Sequence, residues 1–96
     1  MAIRETVLHR LHEALPSLRE RYAIDTLSLF GSVARGDDGP DSDVDLAVSF
    51  RETPDLWAFI DLKDDLAAIV GRRVDLVSRR ALKSHVLKRV LGEEIP

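Results

Sequence analysis

Between Leu27 and Phe50 the chain reads LSLFGSVARGDDGPDSDVDLAVSF, and two features in it could do chemistry. Gly31-Ser32 stops a run rich in strand-forming residues, Thr26 to Phe30, and the Val33-Ala34-Arg35 that follows has the composition of an opening helical turn. Glycine lets a ligand approach the backbone with no Cβ in the way, and free N–H groups at a helix start attract anions. With the Ser32 hydroxyl added, the turn reads as a phosphate cradle. The second feature is Asp43 and Asp45, one residue apart at the start of Asp43-Val44-Asp45-Leu46-Ala47-Val48-Ser49-Phe50. Val44, Leu46, Val48 and Phe50 alternate to one face of a strand and both aspartates to the other. With Cα atoms about 7 Å apart, carboxylates at i and i+2 can lean onto one shared cation. Without a cation their repulsion raises one pKa and costs stability. Aspartate is a poor strand former, so the pair needs a reason, and the plain alternative is the charged solvent face of an edge strand. Each feature alone is a weak signal. One hairpin-length apart, with the turn Asp37-Asp38-Gly39-Pro40-Asp41 between them, they are specific together.

A third carboxylate joins them in the stretch RVDLVS, Arg73 to Ser78, which reads as a strand with Val74 and Leu76 on one side and Asp75 and Val77 on the other. Asp75 is expected at an inward-lying position, and if this strand pairs beside the Asp43–Asp45 strand the three carboxylates form one cluster. The alternative is a lone charge on an exposed face. Three carboxylates beside a phosphate cradle suit metal-assisted nucleotidyl transfer, because Mg²⁺ prefers oxygen ligands and keeps sites for substrate phosphates.

The elements around these residues are read from apolar spacing. Ile3, Val7, Leu11, Ala14, Leu15 and Leu18 predict an amphipathic helix over residues 3–21, with Pro16 expected to kink it or split it in two. His9 and His12 lie three apart there with no third ligand nearby and read as ordinary surface residues. Thr53-Pro54-Asp55 opens a second helix whose broad apolar face, Leu56, Phe59, Ile60, Leu62, Leu66, Ile69 and Val70, covers the sheet before Gly71 ends it. Trp57 sits off the densest part of that face and is expected to be partly buried at the sheet edge, with an exposed ligand-stacking role as the alternative. A last helix is predicted from Arg80 to Leu91, with His85 structural or solvent-facing. Helix, strand, strand, helix, strand, helix gives an α/β (α+β) fold with a small mixed sheet covered by helices.

Gly31-Ser32-Val33-Ala34-Arg35-Gly36, followed by Ser42-Asp43-Val44-Asp45-Leu46, resembles the signature of nucleotidyltransferases of the DNA polymerase β superfamily, most closely the minimal nucleotidyltransferase (MNT) group. The resemblance extends over nearly the whole chain. It implies a polymerase β-like sheet of three or four strands, one nucleotidyltransferase domain over residues 1–96, ATP as the usual donor and Mg²⁺, two ions, as cofactor. Carried over by position, Gly31 and Ser32 hold the triphosphate, and Arg35 contacts phosphate or braces the loop. Asp43 and Asp45 bind the metal ions, and Asp75 ligates the catalytic ion and helps deprotonate the acceptor. The resemblance also implies a partner, commonly a HEPN-family ribonuclease toxin, which MNT proteins neutralise, some by transferring AMP to a tyrosine hydroxyl. Two other readings stay open: an antitoxin that binds its toxin without turnover, and an enzyme modifying a small-molecule or RNA hydroxyl.

Composition narrows the classes. At 96 residues the chain has room for one modest core. It has no cysteine, which excludes a disulfide framework and thiolate chemistry and is compatible with the cytoplasm. No apolar run approaches membrane-spanning length, and the N-terminus lacks a signal-peptide pattern. A formal net charge of -3 is too acidic for strong unaided grip on nucleic-acid backbone. The segment from Arg72 to Arg89 is basic nonetheless, with Arg72, Arg73, Arg79, Arg80, Lys83, Lys88 and Arg89 against Asp75. It reads first as a solvated helix face complementing its own dipole, and otherwise as a contact for triphosphate, RNA or an acidic partner.

Overall fold

The computed structural model of the chain describes residues 3–81 and 92–96. Its elements run α1 (Arg4–Tyr22), β1 (Ile24–Phe30), α2 (Gly31–Arg35), β2 (Val44–Phe50), α3 (Leu56–Val70), β3 (Val74–Ser78), a 3₁₀ turn (Arg79–Ala81) and β4 (Glu93–Glu94). The sheet has the order β3-β2-β1-β4. β1 is antiparallel to both β2 and β4, whereas β2 and β3 run parallel, α3 making the crossover between them.

Register follows the apolar alternation. Leu27 pairs with Val48 and Leu29 with Leu46 across β1 and β2, while Val44 pairs with Val74 and Leu46 with Leu76 across β2 and β3. These residues share one face and are buried, together with Val7, Leu11, Leu15 and Leu18 of α1 and Leu62, Leu66 and Val70 of α3. A one-residue slip of β2 would turn Asp45 into this core, so the alternation enforces the register. The opposite face carries Thr26, Ser28, Asp45, Ser49 and Asp75, with Thr26 and Ser49 joined through their hydroxyls at 2.5 Å.

Pro16 neither splits α1 nor ends it: one 19-residue helix runs through it. Proline removes one helical hydrogen bond at a cost of about 3 kcal/mol, while burying Leu15 and Leu18 on either side of it contributes about 1.5–3 kcal/mol each. The buried stripe prevails. α3 begins as expected, with the Asp55 carboxylate accepting from the Ala58 amide at 2.8 Å, and ends at Gly71 in the left-handed region. The expectation for Trp57 was wrong. It is 74% exposed, as is Leu56 at 68%, because α3 seats itself on Leu62, Leu66 and Val70 and leaves its first turn outside that contact.

The fourth strand, Glu93–Glu94, carries no strand signal. It is placed by its neighbour Ile95, which is buried and whose amide donates to the Leu27 carbonyl at 2.8 Å. The predicted helix from Arg80 to Leu91, with His85, lies outside the described residues apart from the short 3₁₀ turn. No helix among the described residues is long and apolar enough to cross a membrane.

Candidate active site

The site is built where β1 ends and β2 and β3 begin. Phe30 is extended, and Gly31 then takes φ +76, a conformation L side chains rarely adopt, to open the five-residue α2. The turn presses on β2: a Cβ on Gly31 would lie 2.1 Å from Oδ2 of Asp45. A side chain on residue 31 would have to push that carboxylate aside and would be strained by the left-handed φ as well. Phe30 pairs with Asp45 in the β1–β2 ladder, and Asp45 pairs with Asp75 in the β2–β3 ladder. The Gly31-Ser32 turn and two carboxylates therefore meet at one point of the sheet, and Asp43 stands one residue before β2 on the same rim.

Asp45 is half-buried, and its carboxyl is pushed above the ordinary value of 3.8, first by burial and then by the charges of Asp75 and Asp43; Arg35 works in the opposite direction. The repulsion expected from paired aspartates is thus present. Asp75 is exposed rather than inward-lying, which corrects the sequence expectation. On a parallel strand at the end of the sheet the non-core face opens to solvent.

Among the described residues, no three His, Cys, Asp or Glu side chains already converge on one metal-sized point. Like charges spread apart, and Asp43 takes its counter-charge from Arg73, whose Nε lies 3.1 Å from Asp43 Oδ1. The donor chemistry still fits a divalent cation. Asp45 and Asp75 are lateral neighbours, Asp43 is two residues from Asp45, all offer carboxylate oxygen, and Asp45 is short of positive charge. Arg35 is placed beside the turn with its Nε 3.2 Å from Asp37 Oδ2, a loop-bracing contact. His9 and His12 are exposed, and His12 Nδ1 lies 3.0 Å from the Pro96 carbonyl oxygen.

Two residues escaped the sequence reading. Arg72 and Arg73 read in the sequence only as part of a basic segment, with Arg73 opening a strand, yet from the entry to β3 both reach across to the loop before β2. With Pro40, Asp41 and Ser42 they line an open hollow of about 390 Å³. Only the parallel pairing of β3 with β2 brings them there, and nothing in the local sequence specifies that pairing. A separate hollow of about 240 Å³, lined by Phe50, Pro54, Leu56 and Phe59 among others, lies at the far end of β2.

A glycine turn closed onto adjacent strand carboxylates is an arrangement for handling phosphate groups. The chain belongs to the polymerase beta nucleotidyltransferase family, whose profile matches residues 13–96, and it is a nucleotidyltransferase enzyme. It is 47% identical over 78 residues to the protein adenylyltransferase MntA of Thermococcus cleftensis, across 81% of this chain and 79% of that one. A solved chain described as a minimal nucleotidyltransferase matches it with a TM-score of 0.78 and 43% identity, over 97% of this chain and 94% of that one. A toxin–antitoxin complex solved with AMP-PNP matches with a TM-score of 0.70 and 27% identity, over 91% of this chain and 68% of that one.

Proposed function

We propose that the chain, acting as one domain in the cytoplasm, transfers AMP from ATP to a tyrosine hydroxyl of a HEPN-family toxin and so serves as its antitoxin. The observation that carries this reading is the junction of Gly31, Asp45 and Asp75: the turn suited to phosphate is packed against the carboxylates suited to a cation. The similarity to a protein adenylyltransferase supports a protein acceptor, and the likeness to a toxin–antitoxin complex supports a toxin partner.

In this reading the backbone amides of Gly31 and Ser32 and the Ser32 hydroxyl hold the triphosphate, and Arg35 balances its charge or holds the loop that does. Asp43, Asp45 and Asp75 would hold Mg²⁺, which when bound supplies charge neutralisation at the phosphates and a more acidic acceptor hydroxyl. The tyrosine oxygen bonds to the α-phosphorus as the bond from that phosphorus to the pyrophosphate oxygen breaks. The hydroxyl proton passes to the Asp75 carboxylate, whose exposure leaves it open to an incoming acceptor, and pyrophosphate leaves. The chain contributes the donor half of the site, and the partner contributes the acceptor.

Intact-mass spectrometry of the copurifying partner, after incubation with Mg²⁺ and ATP, tests this. Nucleotidyl units should appear on a partner tyrosine with the native chain and be absent with Asp43→Asn. A tightly bound partner that gains no mass would establish an antitoxin that acts by binding alone; a free chain without partner would point to a small-molecule or RNA hydroxyl.

A further inference from the structure

We infer that Arg72 is a positioning residue for Asp43, the carboxylate at the outer end of the site; this rests on the nucleotidyltransferase reading of Asp43 given above. The segment from Asp37 to Asp43 makes no sheet ladder of its own. It leaves α2 with the Asp37 amide donating to the Ser32 carbonyl at 3.0 Å and rejoins the fold where the Val44 amide donates to the Arg73 carbonyl at 2.9 Å. Between those anchors, Ser42 folds the loop on itself: its hydroxyl accepts from the Gly39 amide at 2.8 Å, and its amide donates to the Gly39 carbonyl at 3.2 Å. Among the described residues, the hydrogen bonds tying residues 38–42 to the rest of the molecule all come from Arg72, whose Nη1 donates to the Gly39 carbonyl at 3.1 Å and the Ser42 carbonyl at 3.4 Å.

Ser42 is the residue before Asp43, so fixing its carbonyl fixes the peptide from which the Asp43 side chain departs. Arg72 is half-buried and stands between two anchored neighbours: the Gly71 amide donates to the Ala67 carbonyl at 2.9 Å, and the Arg73 carbonyl accepts from the Val44 amide at 2.9 Å. The contact of Arg73 with the Asp43 carboxylate is of another kind. The Arg73 side chain is 80% exposed, and its pairing is a surface ion pair that an incoming cation can displace.

The sign of one measurement separates positioning from charge. Removing a nearby cation strengthens divalent-cation binding if Coulomb's law alone is at work, and releasing the loop weakens it. Mn²⁺ affinity, read by electron paramagnetic resonance with a non-hydrolysable ATP analogue present, should fall about tenfold in Arg72→Met, in keeping with lost outer-shell support. Arg72→Lys should recover part of the loss, since an ammonium can donate to both carbonyls. Arg72→Gln keeps a polar end on the stem and is the second variant should the Met form fail to fold; it should show the same weakening. Unchanged or tighter Mn²⁺ binding in a folded Met or Gln variant overturns the positioning role. Absence of Mn²⁺ binding by the native chain would instead overturn the metal reading of Asp43, and with it this one.

Discussion

Leu46 and Asp45 are consecutive residues of β2 and belong to two different economies of the fold. Leu46 faces α1 and α3 and is wholly buried among apolar side chains, so everything around it favours the folded state. Asp45 faces the other way, between Asp75 on the neighbouring strand and the Gly31 backbone, with its charged form disfavoured by burial and by two like charges. One face holds the protein together, and the other stores repulsion that a bound cation would relieve. Such storage is common at functional sites, where local stability is given up for a poised arrangement.

Opposite consequences on one strand are open to direct test. The largest effect is expected at Leu46→Ala, which leaves a cavity under both helices and should cost about 2–5 kcal/mol in denaturant unfolding. A cost below about 1 kcal/mol would mean that the core face is not the source of stability. Gly31→Ala is next, with a strained left-handed backbone costing about 1–3 kcal/mol and a Cβ that drives Asp45 aside. Here melting temperature and nucleotidyl transfer should fall together, and retained transfer would break the proposed contact between turn and carboxylate.

Asp45→Asn should do the reverse of Leu46→Ala and raise the melting temperature at neutral pH without divalent cation, while abolishing transfer. The sign follows from linkage. The folded state holds the Asp45 proton more tightly than the unfolded chain, so native stability is fullest below the ordinary value of 3.8 and declines as pH rises through the raised one. The gain from Asn should therefore be present at neutral pH and vanish on acidification below about pH 3.8. A gain independent of pH would remove charge repulsion as its cause. The smallest effect belongs to Tyr22→Phe. The Tyr22 hydroxyl donates to Asp65 on α3, and burial and that carboxylate push its pKa up to about 12, so it stays protonated and bonded across the ordinary range. Losing this tie between α1 and α3 should cost about 0.5–1.5 kcal/mol in the same unfolding assay.

Much of the architecture was legible from spacing alone. Val44, Leu46 and Val48 announced a half-buried strand, Leu62, Leu66 and Val70 a helix face, and Gly31-Ser32 a strand-to-helix turn, because each is a local pattern that burial reads with one period. The failures were non-local. Pro16 was overruled by a stripe that continues on both sides of it, Trp57 was left outside by the seating of α3, and Glu93–Glu94 became a strand because Ile95 beside it fills the core.

At the site the division is the same. The residue types and their order along the chain were determined by the sequence: a glycine where the backbone must approach a carboxylate, and aspartates on the polar phase of two apolar strands. Only the tertiary structure decided that β3 runs parallel beside β2 with Asp75 level with Asp45, that Asp43 faces Arg73, and that Arg72 holds the loop between them. Side-chain alternation is a property of one strand, whereas pairing and register depend on how helices and strands bury their apolar faces together, and that balance exists only in the assembled fold.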